Sequence, residues 1–247
     1  MADAEIQREA ILAAVDNVAA RIAEEKAYLT ELDSAIGDAD HGANMDRGFR
    51  AVVEAVEDDD TDGMEADELV KLVGKTIISN VGGAAGPLYG GSTMLASKEL
   101  EGGITAETSV AFAEAYLQKV QDRGKAEIGA KTMVDALVPV VHTYKKSIEQ
   151  DDLPPLTALS KAVDACERGV RYTVPLRARK GRASYLDWRS VGHQDPGATS
   201  TLYILEELLE TAEEYLDGEV VRDARSPDVP DEPPEEVADE PLGEGDE

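Results

Sequence analysis

The sequence predicts an all-α protein: an eight-helix antiparallel barrel or bundle with a single site at one end. Apolar residues recur at three- and four-residue spacing through most of the chain. No segment shows a convincing period-two alternation of the kind a half-buried strand requires. The connections that carry unusual residues are alternate ones, and in an up-and-down arrangement alternate connections share one end.

The first helix is expected over 3–28, where Ile6, Ala10, Ile11, Ala14, Val15, Val18, Ala19 and Ile22 make one apolar stripe between charges. An acidic loop, 30–43, leads to a second helix from about Ala43 to Glu57, with Phe49, Val52, Val53 and Val56 inward. The acidic turn Asp58–Gly63 ends it. A third helix, 65–80, is built on Leu69, Leu72, Val73, Thr76 and Ile77. The glycine-rich stretch VGGAAGPLYGGS, 81–92, opens the fourth, with Pro87 in the first turn, where a missing N–H costs nothing. The fifth spans about 106–121 on Val110, Ala113, Leu117 and Val120. RGKAEIGAKTM, 123–133, is a second glycine-containing loop before the sixth helix, which runs to about Gln150 and is kinked by Pro139. Pro155 opens the seventh, through Leu159, Ala162, Val163, Cys166 and Val170. Residues 174–200 form the longest irregular stretch of the body. Asp195 and Pro196 then supply the N-cap and first position of the eighth helix, 197–217. The expected domain is 1–217, followed by an acidic, proline-rich tail, 218–247, expected to be disordered.

A chain of 247 residues can bury one sizeable core. Its formal charge of −28 argues against nucleic acid or an anionic membrane as partner. Residues 226–247 hold ten acids and no bases, so removing them leaves −18, and the body is acidic in its own right. That acidity, with few aromatic residues, fits a halophilic host, where a highly charged surface keeps a protein soluble. An ordinary acidic bacterial protein is the alternative. The lone cysteine, Cys166, lies on an apolar helix face, which excludes a disulfide framework and points to a reducing cytoplasm. It reads as a small buried hydrophobe rather than a nucleophile. The start MADAEIQREAILAAV lacks a signal-peptide pattern, and no apolar run approaches membrane-spanning length.

The chemistry is densest in ELDSAIGDADHGANMDR, 31–47. Asp33, Asp38 and Asp40 fall within eight residues, His41 follows, and glycines stand at 37 and 42. Three carboxylates on a short, partly buried turn repel one another unless a cation lies among them. Mg2+ suits such a place, taking about six oxygen ligands from carboxylates, waters and phosphates. Asn44 stands near the start of the following helix, whose free N–H groups favour an anion. Cation and donors together make a place for a phosphate chain. A solvated acidic loop is the competing reading. A calcium EF-hand is disfavoured: counting from Asp38, the fifth position is Gly42 and the twelfth Phe49, where ligands should stand.

The stretch 81–92 offers backbone without side chains to a ligand, although close helix packing selects small residues equally well. Residues 174–200 concentrate Arg177, Arg179, Lys180, Arg182 and Arg189. Long loops of this kind are functional or disordered, and the aromatic residues argue for order. Tyr185 and Trp188 read as a packing anchor, with partner docking as the alternative, His142 as a packed or rim histidine, and His193 as a residue that orients its loop.

Taken together, LDSAIGDADHGANM, GGAAGPLYG and GRASYLDWRSVGHQDPGATS, with GAKTMVDAL between the second and third, resemble the L-subunit family of dihydroxyacetone kinases. The resemblance covers residues 5–217. The first motif alone is also similar to the nucleotide-binding domain of fatty acid kinases, and the HQDPGATS ending favours the former. The resemblance implies an eight-helix barrel with a nucleotide, ADP or ATP, at one end. It implies that Asp33, Asp38 and Asp40 hold two Mg2+ ions bridging the phosphates. His41 and Asn44 then contact phosphate, with Gly42 and Ala43 in the same cofactor-binding set. Ala84 and Ala85 belong to the glycine-rich cover, Gly124 and Met133 to the adenine pocket, and Arg182 to a phosphate or ribose contact. Asp195, Pro196 and Gly197 close the pocket. Phosphoryl transfer asks for charge neutralisation and in-line positioning more than for a protein nucleophile, and none is expected in this chain. The family commonly has Ser where Ala85 stands, so a hydroxyl contact to phosphate would be lost there.

The partners implied by the resemblance are two. One is a K subunit that carries dihydroxyacetone covalently on a histidine. The other is a phosphohistidine protein of the phosphoenolpyruvate phosphotransferase system, which rephosphorylates ADP in place. A homodimer is compatible with this plan. An ATP-exchanging kinase subunit and a nucleotide-loaded regulatory module are the alternatives.

Overall fold

A computed structural model describes residues 4–58 and 61–222. Among these residues there are nine α-helices, two 3-10 helices and no strand. The helices are α1 (Ala4–Glu24), α2 (Lys26–Ile36), α3 (His41–Asp58), α4 (Ala66–Asn80), α5 (Ala85–Ala96), α6 (Ala106–Gly124), α7 (Met133–Glu149), α8 (Pro155–Thr173) and α9 (Pro196–Tyr215). Consecutive helices pack against one another, and α1 packs against α9 to close the ring.

The all-helical class holds, but the expected count of eight does not. The expected first helix breaks at Glu25 into α1 and α2. Its hydrogen bonds nearly run through the break, Glu25 N to Arg21 O at 3.0 Å and Leu29 N to Glu25 O at 2.9 Å. With neither Gly nor Pro at the joint, sequence spacing has nothing to mark it. Of the expected loop 30–43, residues 30–36 are the last turns of α2 and 41–43 the first of α3, so the acidic connection shrinks to 37–40. Gly124 closes α6 rather than opening the next loop, and 182–190 are a 3-10 helix inside the stretch expected to be irregular. The capping chemistry at Asp195 and Pro196 is as expected: Ala198 N donates to Asp195 Oδ2 at 2.7 Å.

Two clusters fill the interior. Ile22, Leu29, Met45, Val52, Leu69 and Val134 anchor the larger. Val163, Cys166, Ala198 and Leu202 anchor the smaller, between α7, α8 and α9. Burying each large aliphatic side chain contributes about 1.5–3 kcal/mol before entropy is counted. The Cys166 thiol is pushed up by burial, in keeping with a packing role. At the α4–α5 crossing, a β-carbon on Gly90 would stand 2.4 Å from Ile78 N, and one on Gly74 2.4 Å from Met94 N. Part of the glycine-rich stretch therefore serves helix packing.

Residues 218–222, expected in the disordered tail, are ordered along α8 instead: Glu219 N donates to Thr157 Oγ1 at 3.1 Å and Val221 N to Ser160 Oγ at 2.8 Å. Arg222 pairs with Asp164, Glu167 and Glu206. Apolar side-chain burial plays little part in this strap; backbone pairing with helix hydroxyls holds it. The rest of the expected tail, and residues 59–60 of the expected acidic turn, lie outside the described residues.

Candidate metal and phosphate site

Four connections meet at one end of the ring. They are 37–40, 81–84, 125–132 and 174–195, alternate connections as the topology requires. Hydrogen bonds between residues far apart in sequence join them. Arg179 N donates to Ala130 O at 3.0 Å. Lys131 Nζ donates to Thr173 O at 2.7 Å and also to His193 O. Tyr89 OH donates to Gly197 O at 2.7 Å and touches Ser200 Oγ at 2.8 Å. Arg182 Nη2 meets Asp38 Oδ2 at 2.8 Å.

The aspartates come together. Asp33, Asp38 and Asp40 each present an oxygen within 4.8 Å of the others. Asp33 is 7% exposed, and its Oδ2 accepts Asp40 N at 2.8 Å and His41 N at 3.1 Å. Its carboxylate therefore takes two of the free donors at the start of α3 and is locked in orientation. Asp38 and Asp40 are exposed, so the turn is buried on the Asp33 side alone. Ala39 between them has φ 61°, a left-handed conformation that costs a residue with a β-carbon about 1 kcal/mol or more. A tightly folded turn of three hard oxygen donors, with Arg182 as its cationic neighbour, fits a divalent cation such as Mg2+.

Beside the trio, the α3 residues have settled roles. The His41 ring Nε2 lies 2.8 Å from Ser200 Oγ, and burial lowers its pKa against the pull of Asp33 and Asp40. The ring thus ties α3 to α9. Asn44 is buried, and its Oδ1 accepts Arg47 Nη2 at 2.7 Å, while Arg47 Nε donates to Asn80 O at 2.9 Å. With its oxygen occupied, Asn44 has its amide hydrogens to offer a ligand. A β-carbon on Gly82 would stand 2.9 Å from Asn44 Oδ1, which places the glycine-rich connection directly against Asn44. Ala84 and Ala85 are the N-cap and first residue of α5, and neither has a side chain that caps the free N–H groups. Gly42 and Ala43 lie in the first turn of α3.

Across the mouth, Met133 opens α7, and a β-carbon on Gly197 would lie 3.8 Å from Met133 Cβ, so the starts of α7 and α9 abut there. Gly124, at the end of α6, stands 3.4 Å by the same measure from Leu88 Cδ2 of α5. Asp195 faces inward: it is buried, and burial first of all pushes its carboxyl up to about 7, with Lys131 and the Ala198 N–H pulling the other way. It acts as the N-cap of α9, with Pro196 following in the first turn. Lys131 and Arg47 went unread in the sequence, though both lie in or beside conspicuous motifs. Lys131 is 1% exposed in a left-handed conformation at φ 61°. Tyr185 and Trp188 correct the sequence reading. At 83% and 69% exposed they are not packing anchors. Leu186, with Ala178, Ala183 and Ile36, holds that loop instead. His142 is exposed on the rim of a groove between α6 and α7, as one of its readings had it.

Fold and mouth define a class: an all-helical domain that presents a carboxylate trio and converging backbone donors at one end. A family model described as the DAK2 domain matches residues 35–210. The chain belongs to the DAK2 domain family. It is 45% identical over 199 residues to the PEP-dependent dihydroxyacetone kinase, ADP-binding subunit DhaL, of Escherichia coli, covering 77% of this chain and 90% of that one. It is 43% identical over 191 residues to the PTS-dependent dihydroxyacetone kinase, ADP-binding subunit DhaL, of Lactococcus lactis, with the same coverage. The human triokinase/FMN cyclase is 33% identical, and the matched part is 32% of its length. Among solved structures, the dihydroxyacetone kinase from C. freundii in complex with AMP-PNP and Mg2+ superposes with a TM-score of 0.63 at 23% identity. The match covers 85% of this chain and 34% of that one, so the chain spans about a third of the solved kinase and shares its fold.

Proposed function

We propose that this chain is the nucleotide-carrying subunit of a phosphoenolpyruvate-dependent dihydroxyacetone phosphotransferase. The observation that carries the reading is the convergence of Asp33, Asp38 and Asp40 to within 4.8 Å at the entry of α3, in a chain so similar to two ADP-binding subunits. These three residues would hold two Mg2+ ions, which when bound neutralise charge on the phosphate oxygens. Asp33, fixed by two backbone amides, keeps its free oxygen aimed into the turn. Asn44, its oxygen taken by Arg47, offers donors to phosphate. His41, Gly42 and Ala43 shape the first turn of α3, where N–H groups favour an anion. The Ala84–Ala85 start of α5 supplies backbone donors, and since Ala85 has no hydroxyl, its N–H carries any contact there. Gly124 and Met133 line the base. Arg182 reaches phosphate or ribose, and Asp195, Pro196 and Gly197 wall the pocket.

The chain supplies no nucleophile in this reading, because phosphoryl transfer asks for charge neutralisation and positioning rather than one. In this reading the phosphoryl group passes to dihydroxyacetone held covalently on a separate K subunit. A phosphohistidine protein of the phosphotransferase system then rephosphorylates ADP in place. The higher identity to separate subunits than to long single-chain kinases supports this division of labour over direct exchange of ATP. The experiment is direct. Purified chain should retain ADP through gel filtration and, with the two partner proteins, move phosphate from phosphoenolpyruvate to dihydroxyacetone. Chain that comes away free of nucleotide and supports no transfer would sink the proposal.

A further inference from the structure

The densest positive charge in the described residues overhangs the mouth. Residues 174–194 hold five bases, Arg177, Arg179, Lys180, Arg182 and Arg189, against one acid, Asp187. Arg177 pairs with Asp187 and lies 4.9 Å from the centre of the Trp188 ring, and Arg182 pairs with Asp38. Arg179, Lys180 and Arg189 are exposed and make no ion pair among the described residues. Tyr185 and Trp188 stand out beside them. This rim contributes +4 to a body of −18, which leaves −22 on everything else up to residue 225.

The described end of the chain runs toward this rim. The strap of residues 219–222 runs beside α8 from its first turn toward its last, meeting Thr157, then Ser160, then Asp164 and Glu167. α8 ends at Thr173, where the basic stretch begins. From Asp164 to that end is about 14 Å at 1.5 Å per helical residue. Residues 226–247, with ten acids and no bases, could span ~70 Å if extended. The rest of the body, at −22, repels such a segment on balance while the rim, at +4, attracts it, and tethering raises its effective concentration there to roughly millimolar.

We propose that residues 226–247 dock on the basic rim formed by Arg179, Lys180 and Arg189, and there compete with anionic ligands entering the mouth. Each contact is an exposed, salt-screened pair, so the docking belongs to dilute buffer and dissolves in concentrated salt. Only the identity of the competing ligand rests on the proposed nucleotide function.

Trp188 is the one tryptophan of the sequence, so its fluorescence reports on the rim alone. Acrylamide, an uncharged quencher, should reach Trp188 roughly twofold less well in the full chain than in a chain ending at Arg225, which keeps the strap; the difference should vanish at about 1 M NaCl, where the screening length falls to about 3 Å. The full chain carrying Arg179→Glu, Lys180→Glu and Arg189→Glu should behave like the shortened one. A synthetic peptide of residues 226–247 should restore protection to the shortened chain. Equal quenching of full and shortened chains in dilute buffer overturns the docking, as does protection that survives in the triple variant. MgADP should bind several-fold more tightly to the shortened chain at low salt, and unchanged affinity overturns the competition. If no MgADP binds at all while the Trp188 pattern holds, docking stands and the nucleotide reading fails.

Discussion

A β-carbon on Gly37 would sit 2.0 Å from Asp33 Oδ1, so the absence of a side chain at 37 is what leaves room for the Asp33 carboxylate. Backbone freedom is secondary here; the space is already taken. Gly37→Ala should push that carboxylate off its two amide donors and open the trio. We expect Mg2+-dependent ADP affinity to drop at least tenfold, about 1.4 kcal/mol, with helix content by circular dichroism unchanged. Equilibrium dialysis reads the first quantity, and an unaltered affinity would mean the carboxylate is not a ligand.

Asp40→Asn exchanges a charged ligand for a neutral one at nearly constant shape. ADP retention should fall sharply, because hard cations are held largely by ligand charge. Asp38→Ala should also abolish retention, and it releases Arg182 from its 2.8 Å ion pair. Retained ADP after gel filtration in either variant would count against the metal assignment.

Lys131 bolts the third connection to the fourth by donating to Thr173 O and His193 O. Lys131→Met keeps the length of the side chain but takes the ammonium from His193 O and leaves Thr173 O to Leu176 N alone, at about 1–3 kcal/mol in all. The urea midpoint should fall accordingly. ADP affinity should fall as well, since Met133 and Gly197 stand in the first turns of the helices that follow the two loops so joined. A midpoint matching that of the parent protein would show that water replaces the ammonium freely.

The Asp195 carboxyl titrates at about 7, well above its ordinary value, because it is buried. The folded state therefore holds the proton more tightly than the unfolded chain. The stability this contributes is complete below pH ~4 and is lost as pH rises through about 7. Asp195→Asn keeps an oxygen for the Ala198 N–H but removes the titration. Urea unfolding of the parent should weaken relative to the variant between pH ~4 and ~7, by up to roughly 4 kcal/mol. Parallel pH profiles would show that Asp195 does not titrate in this range.

Much of the mouth could be read before any coordinates because its parts are near neighbours in the chain. Asp33, Asp38 and Asp40 span eight residues, and a turn of that length has few ways to fold. Asp195 followed by Pro196 is a helix start by local chemistry alone. The Glu25 break left no such mark, since the hydrogen bonds on either side continue almost unbroken. Trp188 was misjudged because an aromatic residue on a loop can pack inward or stand in solvent, and only the neighbours decide. Here Leu186 takes the inward place.

By itself the sequence determined the helical class, the alternate placing of the unusual connections and the identity of the carboxylate trio, since periodicity, caps and short turns are set within a few residues. Only the tertiary structure decided that Lys131 reaches His193, 62 residues away, that Tyr89 reaches Gly197, 108 away, and that residues 219–222 are strapped to α8. Those bonds exist because packed helices bring distant groups into range, and local chemistry carries no record of which helix will lie beside which.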